Sequence, residues 1–325
     1  MSRIFDALQR LESERSGEDS SALPQGPDLL RLAERRATAK WDAAGSRSEL
    51  DAAANGLEEG LDGIEVVPSP VVPKSAPRAP EALPKARRAE VLEKLPTLQI
   101  LLALQSRLVC LTDKEDPTAE AIRLLGVRLR DLRRIRPLKK LLITSTIPQE
   151  GKSTISANLA CALAQSSDEK VLLVEGDLRR PALQRIFGIE ATSGIPECVR
   201  DEGRHLTGIY RLENAGLWIL PAGETPRNPL ELLQSHQLQS ALERVTGYFD
   251  WIIIDSPPVL PLADTSIWMR MADGVLLVTR QGTTQKRQLQ KGLEALDQKK
   301  LLGALLNGAV ASTYSGYYGR SSVSS

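Results

Sequence analysis

Residues Thr144-Ser145-Thr146-Ile147-Pro148-Gln149-Glu150-Gly151-Lys152-Ser153-Thr154 lie between an apolar run, Leu141 to Ile143, and an amphipathic stretch, Ile155 to Gln165. A Gly-Lys-Ser sequence at a strand-to-helix junction has a defined chemistry. Backbone N–H groups and the helix N-terminus surround phosphates, the lysine ammonium reaches the terminal ones, and the hydroxyl binds Mg²⁺. The segment predicts a nucleoside triphosphate site built from Pro148, Gln149, Glu150, Gly151, Lys152, Ser153 and Thr154. One position departs from the pattern: Thr146 stands where a glycine is expected.

Two further segments end in carboxylates. Trp251-Ile252-Ile253-Ile254-Asp255 reads as a buried strand followed by Ser256-Pro257-Pro258. In phosphate-loop proteins an aspartate so placed holds Mg²⁺ opposite the loop hydroxyl, so Ser153 and Asp255 form the predicted metal pair. Val171 to Val174 ends in Glu175-Gly176-Asp177-Leu178-Arg179-Arg180-Pro181. Carboxylates two residues apart beside a phosphate site can hold metal-bound water or take a proton from a nucleophile.

The elements that must position these groups repeat along the chain. Short apolar runs at 141–143, 171–174, 217–220, 251–254, 275–278 and 301–306 are mostly separated by helical periodicity, including 155–165, 230–245 and 288–296. Fully apolar strands alternating with helices imply a mostly parallel α/β sheet covered on both faces, with ligands at the carboxyl ends of the strands.

Composition narrows the function classes. With 42 Lys+Arg against 41 Asp+Glu among 325 residues, nothing global calls for nucleic acid. Arg128, Arg130, Arg133, Arg134, Arg136, Lys139 and Lys140 form one local basic run, read as a solvated helix face. Cys110, Cys161 and Cys198 have no metal or redox spacing and read as small core residues in a reducing cytosol. Two histidines, His205 and His236, exclude a multi-histidine metal centre. No apolar run approaches the roughly 18 residues that cross a bilayer, and the expected location is cytoplasmic, or at a membrane through a partner.

Organisation follows from periodicity. Ile4, Phe5, Leu8 and Leu11 mark an amphipathic helix in residues 1–15. Residues 16–90 are rich in Ala, Glu, Arg, Ser and Pro and read as an extended linker. The folded domain is expected over 91–311. A tail of residues 312–325 carries Tyr314, Tyr317 and Tyr318 among Ser and Gly. Aromatics there have no core to fill and are accessible as acceptors.

Together these segments resemble the bacterial tyrosine kinases, the phosphate-loop autokinases of capsule and exopolysaccharide export. The resemblance spans roughly 115 to 318. It extends to Leu220-Pro221-Ala222-Gly223, Asn228-Pro229-Leu230-Glu231-Leu232-Leu233 and Gly303-Ala304-Leu305-Leu306-Asn307. It implies ATP and Mg²⁺ as cofactors, Lys152 on the terminal phosphates, and Ser153 and Asp255 on the metal. It also implies Asn307 near the base and one of Glu175 and Asp177 positioning or deprotonating an incoming tyrosine. Tyr314, Tyr317 and Tyr318 become autophosphorylation sites, modified between chains, and a membrane adaptor of a polysaccharide export system becomes the partner. Position 175 is usually aspartate in this family, so Glu175 carries its carboxylate about one methylene further out. The family's oligomer helix carries Glu-x-x-Arg-x-x-Arg, whereas Glu120 and Arg123 are followed here by Gly126. Two other readings stand beside the kinase. A positioning-type ATPase switch typically has a further loop lysine where this chain has Ile147, and a nucleotide-binding scaffold would have little catalysis.

Overall fold

The computed structural model describes residues 84–309, apart from 103–105, 166–167, 225 and 261–262. The expected N-terminal helix, nearly all of the linker and the three tail tyrosines lie outside the described residues.

Eight strands form one sheet: β1 (Thr97–Leu98), β2 (Lys140–Ser145), β3 (Val171–Glu175), β4 (Tyr210–Leu212), β5 (Trp218–Leu220), β6 (Trp251–Asp255), β7 (Gly274–Arg280) and β8 (Leu301–Asn307). Their order is β1-β4-β5-β3-β6-β2-β7-β8, and every neighbouring pair is parallel except β4 with β5. The helices are α1 (Lys85–Glu93), α2 (Val109–Thr112), α3 (Pro117–Ile135), α4 (Lys152–Ala164), α5 (Leu183–Phe187), α6 (Ile195–Arg200), α7 (Pro229–Gln234), α8 (His236–Thr246), α9 (Asp264–Met271) and α10 (Lys286–Glu294).

The central strands are apolar throughout because both faces are covered. Alternate side chains point to opposite faces. Leu141, Ile143, Leu173 and Ile253 join one core with α4, while Leu142, Leu172, Val174, Ile252 and Ile254 join the other with Leu238, Leu242 and Trp268. Register then brings the polar ends together. Asp255 lies opposite Glu175 on one side and Ile143, two residues before the loop, on the other.

Four features differ from the sequence expectation. Helix α4 is buried on nearly every side rather than amphipathic; Ala157, Ala160, Cys161 and Ala162 are small enough for α2 and α3 to close over its outer face. The helix expected over 230–245 is two, broken at Ser235, whose hydroxyl accepts from Leu238 N at 3.2 Å and caps α8. Among the described residues the first element, α1, starts at Lys85, inside the stretch assigned to the linker. There Leu92 is fully buried, its carbonyl accepts from Trp218 Nε1 at 3.3 Å, and Arg88 reaches Asp250 at 3.5 Å. The basic run is only partly solvated. Arg130 pairs with Glu169 at 2.8 Å, and the Arg133 guanidinium lies 4.8 Å from the centre of the Trp251 ring. The three cysteines are buried, as expected. No helix among the described residues is long and apolar enough to cross a membrane.

Candidate functional site

The loop between β2 and α4 turns through two left-handed residues, Gln149 at φ 69° and Gly151 at φ 92°. Gly151 has no room for a side chain, since a Cβ there would overlap the Asn307 amide. Loop shape is fixed largely by Glu150, which is fully buried. Its carboxylate accepts from Ile147 N at 2.8 Å and from the Thr284 hydroxyl. Its carbonyl accepts from Asn307 Nδ2 at 2.9 Å, and Arg280 donates to the Gln149 carbonyl at 3.3 Å. The loop is thus pinned by groups at the end of β7 and β8 and just after β7. Thr284 and Arg280 carry no motif and gave the sequence reading no signal. Asn307, expected near the base, lies at the cleft edge and bonds to the loop.

Lys152 begins α4 with its ammonium among acids. Its Nζ lies 3.0 Å from Asp177 Oδ2 and 3.8 Å from Asp255 Oδ1, and donates to Ser153 Oγ at 3.2 Å. Asp255 Oδ1 also accepts from Ser156 Oγ at 3.3 Å. Its other oxygen, Oδ2, is buried without a hydrogen-bond partner. Burial raises the Asp255 pKa to about 6, against the opposing pull of Lys152. Buried carboxylate oxygens are normally satisfied, so an orphan one beside the loop hydroxyl is what a site for a hard divalent cation offers. The donors fit Mg²⁺, which takes one or two carboxylates and otherwise phosphate and water oxygens. Accordingly, no cluster of three or more His, Cys, Asp or Glu that could cage a metal occurs among the described residues.

Glu175 is placed differently from the expected catalytic role. It is fully buried, Oε1 accepts from Ala182 N at 2.6 Å and Leu183 N at 2.5 Å, and Oε2 accepts from Ala222 N at 3.0 Å. The extra methylene carries the carboxylate to the backbone of the following loop and of the segment after β5. It does not line the cleft. Asp177 does, and its Oδ1 accepts from Arg180 N at 3.0 Å. The intervening loop is held further by the Arg179–Asp264 ion pair at 2.8 Å and by Trp268 Nε1 donating to Gly176 O at 3.0 Å. These elements line an open cleft of about 1120 Å³ that includes Pro148, Gln149, Gly151, Lys152, Ser153, Thr154, Asp177 and Asn307. Tyr314, Tyr317 and Tyr318 lie outside the described residues.

Comparison with known proteins gives the following. A family model described as an AAA domain matches residues 149–300. The tyrosine-protein kinase YwqD of Bacillus subtilis (strain 168) is 36% identical over 220 residues, which is 66% of this chain and 92% of that protein. The tyrosine-protein kinase etk of Escherichia coli (strain K12) is 32% identical over 204 residues, 62% of this chain but 28% of its own length. Among solved structures, the kinase domain of Escherichia coli tyrosine kinase ETK matches with a TM-score of 0.60 and 27% identity, over 71% of this chain and 98% of that domain.

Proposed function

The chain belongs to the bacterial tyrosine-protein kinases, and from that premise we propose that it is an ATP-dependent tyrosine autokinase of exopolysaccharide or capsule biosynthesis whose acceptors are Tyr314, Tyr317 and Tyr318 of another copy. The observation that carries the reading is the group formed by Lys152, Asp177 and Asp255 at the phosphate loop, with one Asp255 oxygen buried and unpartnered. Ser153 and Asp255 would hold Mg²⁺, which when bound would supply charge neutralisation on the transferring phosphate.

The chain's own groups do the rest. The Lys152 ammonium lies 3.0 Å from Asp177. Terminal phosphates draw it away, because a triphosphate offers more negative charge than one carboxylate. Asp177 is then free to orient the acceptor. The phenol oxygen forms the new bond to the γ-phosphorus, the bond to the β,γ-bridging oxygen breaks, ADP leaves, and the phenol proton passes to Asp177. Glu175 has no part in this exchange, since three backbone amides occupy its carboxylate. That placement weakens one of the two motives for the scaffold reading, Glu175 and Gly126, because Asp177 remains at the cleft. Polysaccharide export and a membrane adaptor come from the family resemblance.

Purified protein incubated with Mg-ATP tests the proposal. Phosphotyrosine on the tail, mapped by mass spectrometry and absent from Lys152→Met, is the expected outcome. ATP hydrolysis without phosphotyrosine selects the positioning-ATPase reading instead.

A further inference from the structure

Several arginines of this fold have a carboxylate partner: Arg88 with Asp250, Arg130 with Glu169, Arg179 with Asp264. Arg107, Arg180 and Arg185 are different. All three are exposed, line the cleft that contains the phosphate loop, and have no carboxylate partner among the described residues. Asp177 is the one acidic residue on the cleft wall. Mg²⁺ and Lys152 offset most of a triphosphate's charge, so three further cations exceed what nucleotide binding requires.

Arg180 and Arg185 follow Asp177 within eight residues and line the same cleft. Arg180 N bonds to the Asp177 carboxylate at 3.0 Å, so its side chain starts beside the group assigned to the incoming phenol. Arg185 projects from α5, whose first amide, Leu183 N, is bonded to Glu175. The backbone beneath both is fixed by buried contacts, while their guanidinium groups are not. An anion next to the acceptor tyrosine would complete this site. The unmodified side chains of residues 310–325 cannot supply one, because they include no acidic group and one arginine, Arg320. A tail already phosphorylated on one tyrosine can. Each phosphate adds about −1.5 to −2 charges and three strong acceptors, the geometry guanidinium groups bind bidentately. Tyr314 and Tyr317 are three residues apart, about 10 Å in extended chain. With one of them at the acceptor position, the backbone of the other lies no more than about 10 Å away along the tail.

We propose that Arg107, Arg180 and Arg185 form a phosphotyrosine-docking site beside the acceptor position, so that a tail carrying one phosphate is the preferred substrate for the second. The inference rests on the tyrosine-kinase reading of the cleft and deepens it: the first transfer primes the next, and multiply phosphorylated tails build up early.

Two measurements on the full chain test it. A fluorescent peptide of residues 311–325 carrying phosphotyrosine at 317 is titrated against protein loaded with Mg²⁺ and a non-hydrolysable ATP analogue, which keeps the phosphate out of the loop. It should bind roughly tenfold or more tighter than the unmodified peptide, as charge-assisted bidentate pairs imply. The difference should disappear in the Arg180→Gln, Arg185→Gln double variant and shrink with salt. In a time course with Mg-ATP followed by intact mass, wild type should pass quickly from no phosphate to two or three, whereas the double variant accumulates the singly modified form. Equal affinity for the two peptides overturns the proposal even if the double variant fails to fold, as does a wild-type time course with sites filled independently. Absence of any tail phosphate from wild type is a separate failure, that of the kinase reading itself, and overturns both.

Discussion

Glu175 and Asp177 leave the same strand two residues apart, yet one carboxylate is spent on backbone amides and the other faces the cleft. Glu175→Asp therefore retracts an acceptor from three buried N–H groups. A lost bond that strands a buried polar group costs about 1–3 kcal/mol. We predict a lower thermal midpoint, with activity falling through a loosened loop; an Asp variant as stable and as active as the parent would contradict the assignment. Asp255 gives a pH signature. Its folded pKa of about 6 lies above the unfolded value of about 3.9, so folding disfavours the charged form. On this group alone, metal-free protein carries the full penalty above pH 6 and sheds it as pH falls toward 4. Asp255→Asn should stabilise the metal-free protein at pH 7 by roughly 1–3 kcal/mol and lose Mg²⁺-dependent turnover. In the parent, the Mg²⁺ concentration for half-maximal activity should rise about tenfold per unit below pH 6, because protons compete for the ligand. A half-saturation point flat from pH 7 to 5 would show that Asp255 does not hold the metal. At this scale the sequence displayed Lys152, Ser153 and Asp255 because spacing alone marks them. It hid the surroundings of Glu175, since which backbone amides meet a carboxylate depends on loops that are remote in sequence.

Among the elements, the strands that carry the site were legible because burial on both faces leaves an uninterrupted apolar run, as in β3 and β6. The short strands β1 and β4, at one end of the sheet, were not. Two or three residues give no periodicity, and their pairing is set by the contact of Pro96 and Leu98 with Arg211 and Glu213. Helix α1 was missed for a related reason: its sequence, KARRAEVLE, has a charged majority and one fully buried leucine, so it matches the linker in composition. Truncation locates the boundary. Removing residues 1–83 should leave ATP turnover and the unfolding midpoint unchanged. Removing residues 1–94 takes Leu92 out of the core and leaves Asp250 and Trp218 without their α1 partners. A cost of about 2–5 kcal/mol is expected from the lost leucine side chain. Equal midpoints for the two truncations, read by calorimetry, would place α1 outside the folding unit.

For the whole molecule, fold class followed from alternating strands and helices, and family membership followed from three motifs at strand ends. The cationic lining of the cleft could not be read in this way, because Arg107, Arg180 and Arg185 come to one cleft only through the fold. The most direct test of the central claim, that this site moves phosphate from ATP to tyrosine, mixes two incomplete proteins. One carries Lys152→Met with its tail intact, and the other keeps the active site but has Tyr314, Tyr317 and Tyr318 replaced by Phe. With Mg-ATP, phosphotyrosine should appear on the tail of the Lys152→Met chain, at a rate per molecule that rises with protein concentration. If ATP is consumed and that tail stays unmodified, while wild type alone leaves its own tail bare, the site hydrolyses ATP and is not a tyrosine kinase.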